Sequence, residues 1–323
     1  MSARHPVSLH ISLAPRDVAH AGALLPHQLR QLAPHVEEVV LTVDGGPGTQ
    51  DDDAALAQFR SLVEPWRDAG PRLVLRNADY SPARRRELAA AFFRHGTMPA
   101  QTYRAGPFHA YFDGWFATSR EFVFHLDSDI FLGGDVGGWL AEAIALLRSE
   151  PQVLACNPLP GPPAPDFRIN QPQAQRWLEG PRGAHRFDSF TTRLFFMNRA
   201  RLVGLEPCLH LRRAAWRQQV RGFVERTSPY ALPEDIISEY QRARGWHRVD
   251  FLGAAPGLWS LHPPFRNAEF YQKLPELVRR IETDDLPPAQ RGDYDLNDSL
   301  VDWSDARAAL ATNRWWKRYW PRR

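Results

Sequence analysis

Short apolar strands alternate with helices along the first half of the chain, and this alternation constrains the fold more than any other feature. The apolar runs predict strands at residues 7–13, 38–43, 72–76 and 122–126. Between them, the pattern predicts helices at residues 18–32, 51–69, 88–93 and 111–118. Apolar strands separated by helices are typical of a parallel sheet with helices on both faces. We therefore expect an α/β protein with a mostly parallel sheet.

The second half is less regular. Its pattern predicts helices at residues 139–148 and 233–244, the first capped by Asp135, and strands at residues 153–156, 194–197 and 247–252. The stretch PLPGPPAP at residues 158–165 predicts a loop, because proline donates no backbone hydrogen bond. Neither a repeat nor a linker divides the chain. We expect one continuous domain over residues 1–265 and an extension of helices and loops over residues 266–323.

Charge and cysteine content exclude several classes of protein. The 323 residues include 40 basic and 37 acidic side chains, a formal charge of +3, which is too balanced for a dedicated nucleic-acid-binding protein. Cys156 and Cys208 are too few for a disulfide framework and read as buried thiols in a reducing compartment. The chain shows neither a signal-peptide pattern nor an apolar run that could cross a membrane, so we expect a soluble, cytoplasmic protein.

Asp-x-Asp triplets are weak signals in this chain, since random placement of its 22 aspartates gives about 1.5 of them. Three occur, at Asp51–Asp53, Asp127–Asp129 and Asp293–Asp295. The first lies at a predicted helix start and the third in a polar loop, so both are interpreted as solvated charge. The second directly follows the apolar strand FVFHL.

The position of Asp127 and Asp129 favours a binding site. Open α/β sheets bind ligands at the carboxyl ends of their strands, which is where these two residues are expected. Two carboxylates there suit Mg²⁺ or Mn²⁺ bridging to phosphate oxygens. The alternative is a strand-end turn in which the aspartates only cap the backbone.

In this context the stretch FHLDSDIFL at residues 124–132 resembles the DxD motif of nucleotide-sugar-dependent glycosyltransferases of the GT-A fold, similar to glycosyltransferase family 2. The resemblance covers residues 7–265. The strand ends Leu13-Ala14-Pro15 and Val43-Asp44-Gly45 resemble the loops that hold the nucleotide base and ribose. FHAYFDGW at residues 108–115 resembles the helix that precedes the DxD strand and faces the nucleotide.

The resemblance implies a Rossmann-like fold whose nucleotide-binding half covers residues 1–132 and whose acceptor-side half covers residues 133–265. It implies that Mn²⁺ or Mg²⁺ is held by Asp127, Asp129 and His262. A nucleotide sugar, most often a UDP-sugar in such enzymes and otherwise a GDP-sugar, would be the donor. The implied donor-binding residues are Ala14, Pro15, Arg16, Asp44, His109, Asp113 and Ser128. Arginines would complete this pocket by binding the diphosphate, and the unranked candidates are Arg16, Arg84, Arg85, Arg86, Arg104 and Arg266.

A second motif concerns the chemistry of transfer. LPEDII at residues 232–237 resembles the paired carboxylates of inverting GT-A enzymes, in which one carboxylate takes the proton of the acceptor hydroxyl. Asp235 matches that base by position, with Glu234 as the second candidate. The alternative is helix capping, since acidic residues favour helix starts. Residues 158–165 and 187–193 are expected to shape the acceptor side.

Three other interpretations stay open at this point. A retaining transferase would use the same metal site. A non-catalytic nucleotide-sugar-binding protein would keep Asp127 and Asp129 without needing Asp235. A phosphatase of the haloacid-dehalogenase type would need a downstream lysine, and the chain has only Lys273 and Lys317.

The end of the chain, residues 315–323, mixes tryptophan and tyrosine with basic side chains. This composition suits weak contact with a membrane surface, and the alternative is a tail packed on the domain.

Overall fold

The computed structural model describes residues 4–46, 52–67, 70–93, 96–203 and 209–312. Asp51, Cys208, the side chain of Asp52 and the tryptophan-rich tail therefore lie outside the described residues, and the predictions made for them stay predictions. Within the described ranges, no helix combines the length and the apolar character needed to cross a bilayer.

The strands and helices follow the predicted alternation. The strands are β1 (His5–Leu13), β2 (Val36–Val43), β3 (Arg72–Asn77), β4 (Phe122–Asp127), β5 (Phe131–Gly134), β6 (Val153–Pro160), β7 (Gln175–Arg176), β8 (His185–Phe187), β9 (Leu194–Asn198), β10 (His247–Phe251) and β11 (Leu258–Leu261). The helices are α1 (Val18–Leu32), α2 (Asp52–Val63), α3 (Pro82–Phe92), α4 (His109–Ala117), α5 (Val136–Ser149), α6 (Trp216–Val224), α7 (Pro233–Ala243), α8 (Ala268–Glu282) and α9 (Ser304–Thr312).

The central sheet is mostly parallel, as the sequence predicts. Its strand order is β3-β2-β1-β4-β9-β6-β10-β8-β7, and neighbours from β3 to β4 pair in parallel. Strand β9 lies antiparallel between β4 and β6, whereas β10 pairs with β6 in parallel. A smaller set of pairings joins β11 to β5 and β6. The carboxyl ends of β1, β2 and β4 therefore meet at one edge of the sheet.

Both faces of this sheet are covered, which explains why its strands are apolar almost throughout. Val7, Leu9 and Ile11 of β1 belong to a core cluster that also includes residues of α1 and α5. On the opposite face, α4 contributes Phe112 and Trp115 to a second buried cluster. Strands buried on both faces read as continuous hydrophobic runs rather than as alternating ones.

One local prediction was wrong. The stretch at residues 158–165 was expected to be a loop, but Pro158 and Pro160 are the last residues of β6. Strand β6 pairs with β9 only at Cys156. Residues of β6 beyond Cys156 have no partner in β9 and need no backbone N–H group on that side. Proline, which lacks this group, is tolerated at such positions of a strand.

The extension after residue 265 packs on the same body. Helix α8 buries Phe270, Leu274 and Leu277 in a third cluster, which also contains Leu24 of α1 and Phe131 of β5. This shared core connects the extension to the rest of the protein. A domain boundary at residue 265 stays a prediction.

Candidate active site

Two adjacent cavities open where β1, β2 and β4 end. The Asp44 cavity, named for that residue, has a volume of about 390 Å³. The Glu234 cavity, named likewise, has a volume of about 440 Å³. Pro107, Tyr111 and Asp127 line both cavities, so Asp127 stands at their junction.

The Asp44 cavity collects most of the residues predicted to bind the donor. Its lining includes Ala14, Pro15, Arg16, Asp44 and Ser128. The hydroxyl of Tyr80 donates to Asp44 Oδ1 at 2.6 Å, and the same oxygen accepts from the Gly46 amide at 3.0 Å. These bonds hold the Asp44 carboxylate at the cavity wall, where it can accept hydrogen bonds from a ligand.

His109 and Asp113 line neither cavity, although the predicted helix α4 forms. His109 Nε2 lies 2.7 Å from the Asp79 carbonyl oxygen, and its ring packs on Tyr80 at 4.5 Å between centroids. Asp113 is fully buried and forms an ion pair with Arg76 at 2.7 Å. The two side chains support the wall around Tyr80, and α4 presents Tyr111 to the cavities instead.

Asp127 is a carboxylate in an unfavourable environment for charge. Its side chain is 22% exposed, and the Tyr111 hydroxyl donates to its Oδ1 at 3.0 Å. Burial, followed by the nearby charge of Asp129, raises the pKa of Asp127 to about 8. A cation next to this pair of carboxylates would remove that penalty.

Asp129 has two basic side chains as partners. Its Oδ2 forms a short ion pair with Arg266, and His262 Nε2 lies 3.6 Å from the same oxygen. Burial acts to raise the pKa of Asp129, but His262 and Arg266 outweigh it and leave the pKa below its usual value. Arg266 also reaches Asp17 Oδ1 at 3.4 Å.

Ser128 connects the strand end to the loop after β1. Its hydroxyl donates to Asp17 Oδ2 at 2.8 Å, and His20 Nε2 lies 3.0 Å from it. Asp17 Oδ2 also accepts from the Ala14 amide at 2.8 Å. The two loops that line the Asp44 cavity are thereby fixed to each other.

The third Asp-x-Asp triplet was interpreted as solvated charge, and the Asp295 side chain is 56% exposed, yet it also contacts one of the predicted metal ligands. Asp295 Oδ1 lies 3.1 Å from His262 Nδ1. The backbone supports the contact, because the His262 amide donates to the Tyr294 carbonyl at 3.0 Å. Asp295 thus orients the imidazole so that its Nε2 faces Asp129. A carboxylate behind a histidine is the usual support of a metal ligand.

The residues predicted to bind a metal come together with a donor set that suits a divalent cation. Two carboxylates and an imidazole are acceptable ligands for Mn²⁺ or Mg²⁺. Burial and Asp129 raise the pKa of Asp127 although Arg193 and His262 act to lower it, so the basic side chains present do not fully offset the charge of the two carboxylates. Among the described residues, no group of three or more His, Cys, Asp or Glu side chains is already arranged around one point, since Arg266 holds Asp129. The residues fit a cation if Arg266 releases Asp129.

The Glu234 cavity contains one of the two candidate bases. Glu234 lies in the first turn of α7, and Thr192 Oγ1 donates to its Oε2 at 3.3 Å. Burial, and to a smaller extent Asp235, raises the pKa of Glu234 above its usual value. Asp235 itself lines neither cavity. The two segments expected on the acceptor side also contribute, through Pro158, Pro160 and residues 189–193.

Two buried polar atoms in this cavity have no partner among the described residues. They are Asn157 Oδ1 and Ser260 Oγ, in side chains that are almost fully buried. Both residues line the Glu234 cavity. Buried polar atoms in native proteins are normally paired, so these two atoms are available to hydrogen-bond a ligand.

Comparison with known proteins gives structural likenesses at low identity. The chain matches no protein-family model, and no curated protein matches its sequence. The mannosyltransferase PcManGT from Pyrobaculum calidifontis, in complex with GDP-Man and Mn²⁺, is 13% identical with a TM-score of 0.42, over 90% of this chain and 68% of that one. The galactosyltransferase LgtC, in complex with donor and acceptor sugar analogues, is 11% identical with a TM-score of 0.37, over 87% and 97%.

A third similar structure is glucosyl-3-phosphoglycerate synthase from Mycobacterium tuberculosis, in complex with Mn²⁺, UDP-glucose and phosphoglyceric acid. It is 13% identical with a TM-score of 0.24, over 47% of this chain and 42% of that one. At these identities the likeness concerns the fold, so the function has to be argued from the geometry of the site.

Several site residues have no signal in the sequence. Tyr111 lies inside the helix predicted to face the nucleotide, but the pattern favoured its neighbours His109 and Asp113. Tyr294 and Asp295 follow the expected end of the domain, and only the packing of the extension brings them beside His262.

Proposed function

We propose that the protein is a metal-dependent glycosyltransferase of the GT-A type, which moves a sugar from a nucleotide-diphosphate sugar to an acceptor hydroxyl. The observation that carries this proposal is the pair of cavities that meet at Asp127. A group-transfer enzyme must bring two substrates to one reacting centre, and two cavities that share a carboxylate provide this arrangement.

The donor nucleotide is placed in the Asp44 cavity. The Asp44 carboxylate, fixed by Tyr80, accepts hydrogen bonds from ribose hydroxyls, and the loop of Ala14 and Pro15 contacts the base. Arg16 lines the same cavity and is available to the diphosphate. A UDP-sugar is the expected donor.

The cation is assigned to Asp127, Asp129 and His262, and its role when bound is to neutralise charge on the leaving diphosphate. Asp295 keeps the Nε2 atom of His262 available on the side of Asp129. Arg266 forms ion pairs with Asp129 and Asp17 in the structure, and we assign it to the diphosphate when donor and cation are present.

Glu234 is the carboxylate that we assign as the base. It lines the Glu234 cavity together with Asp127, and a raised pKa makes a carboxylate a stronger base toward an acceptor hydroxyl. Attack by that hydroxyl on the anomeric carbon then proceeds with inversion. Asp235, the first candidate by position, is the alternative base. Because it lines neither cavity, Asp235→Asn is the matched comparison for Glu234→Gln.

A thermal-shift screen of nucleotides and nucleotide sugars, with and without Mn²⁺, tests the proposal. We expect one diphosphate nucleotide to raise the melting temperature only when Mn²⁺ is present. Asp127→Asn should abolish this shift. The absence of a response to every nucleotide would contradict the proposed donor site.

Catalysis is tested with the Glu234→Gln variant in the presence of donor and Mn²⁺. We expect this variant to bind the donor like the wild type but to lose at least about a hundredfold in turnover, because general base catalysis typically contributes that much. Unchanged turnover in Glu234→Gln together with loss in Asp235→Asn would move the base to Asp235. NMR of the product anomer would distinguish inversion from retention.

A further inference from the structure

Helix α6 carries an apolar face that points away from the protein. Phe223 is 85% exposed and Trp216 is 69% exposed, and Val220 and Val224 are also exposed. Their spacing of three and four residues places all four side chains on one side of the helix. Contiguous apolar side chains of this size on the outside of a protein indicate an interaction surface.

The polar side of α6 faces the protein, which is the reverse of the usual arrangement in a surface helix. Gln218 Nε2 donates to the Tyr103 hydroxyl at 3.1 Å. Gly222 is buried on this side of the helix, and a Cβ atom added there would lie 3.0 Å from the Ser228 carbonyl oxygen. Thr227 Oγ1 donates to the Tyr103 carbonyl at 2.8 Å. Polar contacts therefore fix the helix with its apolar side outward.

Basic side chains accompany this face. The segment from residue 212 to residue 226 contains five arginines and a single acidic residue, Glu225, so its formal charge is +4. Arg213, Arg217 and Arg226 are exposed, and the Arg217 guanidinium lies 5.7 Å from the centre of the Trp216 ring. A short helix with aromatic residues on one side and arginines beside them is typical of helices that lie in a membrane interface.

The same charge argues against a second copy of the chain as the occupant. A symmetric pairing of α6 faces would bring two segments of charge +4 together, which disfavours association. An anionic lipid surface instead offers hydrocarbon for the apolar residues and negative charge for the arginines.

We propose that α6 docks the protein on an anionic membrane surface through Trp216, Val220, Phe223 and Val224, with the neighbouring arginines binding lipid headgroups. This surface is distinct from the proposed active site, although Tyr103 connects it to the loop of residues 101–107 that lines both cavities. The docking places this loop next to the membrane.

Sedimentation of the full-length chain with vesicles tests the proposal without requiring turnover. We expect binding to vesicles of equimolar phosphatidylcholine and phosphatidylglycerol, weaker binding at high salt, and little binding to phosphatidylcholine alone. Phe223→Ser should lower the partition coefficient about tenfold, because one large apolar side chain no longer enters the interface. Arg217→Gln should lower it about fivefold.

Leu178→Ser is the matched control, since Leu178 is 78% exposed on a distant turn and should leave binding unchanged. An equal loss in Leu178→Ser and Phe223→Ser would contradict a specific role for α6, as would the absence of wild-type binding. If Trp315→Ser/Trp316→Ser abolished binding and Phe223→Ser did not, the chain end rather than α6 would be the docking element. A dimer in light scattering that Phe223→Ser dissociates would identify a second copy as the occupant.

Discussion

Asp127 and Asp129 are separated by one residue, yet the fold gives their carboxyl groups opposite electrostatic environments. Asp127 has a pKa of about 8 and a tyrosine hydroxyl as its neighbour, whereas the pKa of Asp129 is lowered by His262 and Arg266. Two adjacent carboxyl groups whose pKa values are driven apart are typical of functional sites. Asp127 is therefore the residue whose charge depends most on a bound cation.

This difference predicts how Asp127→Asn affects stability without metal. Because the pKa of Asp127 is about 8 in the folded protein and near 4 in the unfolded chain, the charged carboxylate lowers the free energy of unfolding. This loss of stability is complete above about pH 8 and disappears as the pH falls to about 4. Asp127→Asn should therefore stabilise the metal-free protein at pH 8, by at most about 5 kcal/mol for a shift of about four pKa units, and have no effect near pH 4. Urea unfolding across this range checks it, and an Asp127→Asn advantage that grew at low pH would contradict the assignment.

A substitution at Ser260 tests whether the Glu234 cavity binds a substrate, because its effects on KM and on the free energy of unfolding are expected to differ. Its hydroxyl is buried and has no partner in the described residues, so Ser260→Ala should leave the free energy of unfolding within about 0.5 kcal/mol of the wild type. The KM of one substrate should rise about tenfold, because the hydroxyl that binds it is lost.

Ser238→Ala is the contrasting control for Ser260→Ala. The Ser238 hydroxyl accepts from the Phe190 amide at 2.8 Å and donates to the Glu234 carbonyl. Its removal should destabilise the protein by about 1–2 kcal/mol. If Ser260→Ala lowered stability as much as Ser238→Ala and left KM unchanged, the Ser260 hydroxyl would have a structural role only.

At the scale of elements, the close packing of α4 on β1 shapes the protein behind the two cavities. This helix approaches β1 at Gly114, where a Cβ atom would lie 2.1 Å from His10 Nε2. The His10 ring has little freedom to yield, because its Nδ1 lies 2.7 Å from His125 Nδ1 in the next strand. The close approach allows the α4 residue Tyr111 to reach Asp127.

Gly114→Ala should therefore destabilise the protein by about 1–3 kcal/mol, since the added methyl group overpacks this interface. Gly22→Ala in α1 is the control, because no atom lies within 4 Å of its Cβ position. The control should stabilise by about 0.5–1 kcal/mol through helix propensity alone. Thermal unfolding of both variants checks the pair, and similar effects of the two substitutions would show that α4 does not pack as described.

At the scale of the whole molecule, the extension after residue 265 belongs to the folded core and to the site. Helix α8 packs on α1 and β5 through buried Leu274 and Leu277. From the same region, Arg266 contacts Asp129 and Asp295 contacts His262, at the place proposed for the cation. Stability and metal binding should therefore be coupled through it.

Leu277→Ala should lower the stability of the whole molecule by about 2–5 kcal/mol, as expected for a buried leucine. Tryptophan fluorescence and far-UV circular dichroism should report a single shared transition, since Trp303 of the extension lies in the same cluster as Leu24 and Phe131. Two separate transitions, with only one of them shifted by Leu277→Ala, would indicate an independent extension.

The local elements and the position of the aspartate pair could be predicted from the amino-acid sequence. The apolar period predicts α1 with its observed bounds, and it predicts β4 to within one residue, since the strand expected to end at Leu126 ends at Asp127. Such agreement is possible because helix and strand periodicities are local properties of the chain. The placement of Ala14, Asp44 and Asp127 at one edge of the sheet also follows, since parallel strands bring their carboxyl ends together.

The side chains that complete the candidate active site come together only through tertiary contacts, which the sequence pattern does not predict. Arg266 meets Asp129 across 137 residues of sequence, and Asp295 meets His262 because the extension folds back on β11. The antiparallel insertion of β9 and the choice of Tyr111 over His109 likewise depend on how the elements pack. Such contacts arise from the topology of the whole chain, and no local period of apolar residues encodes them.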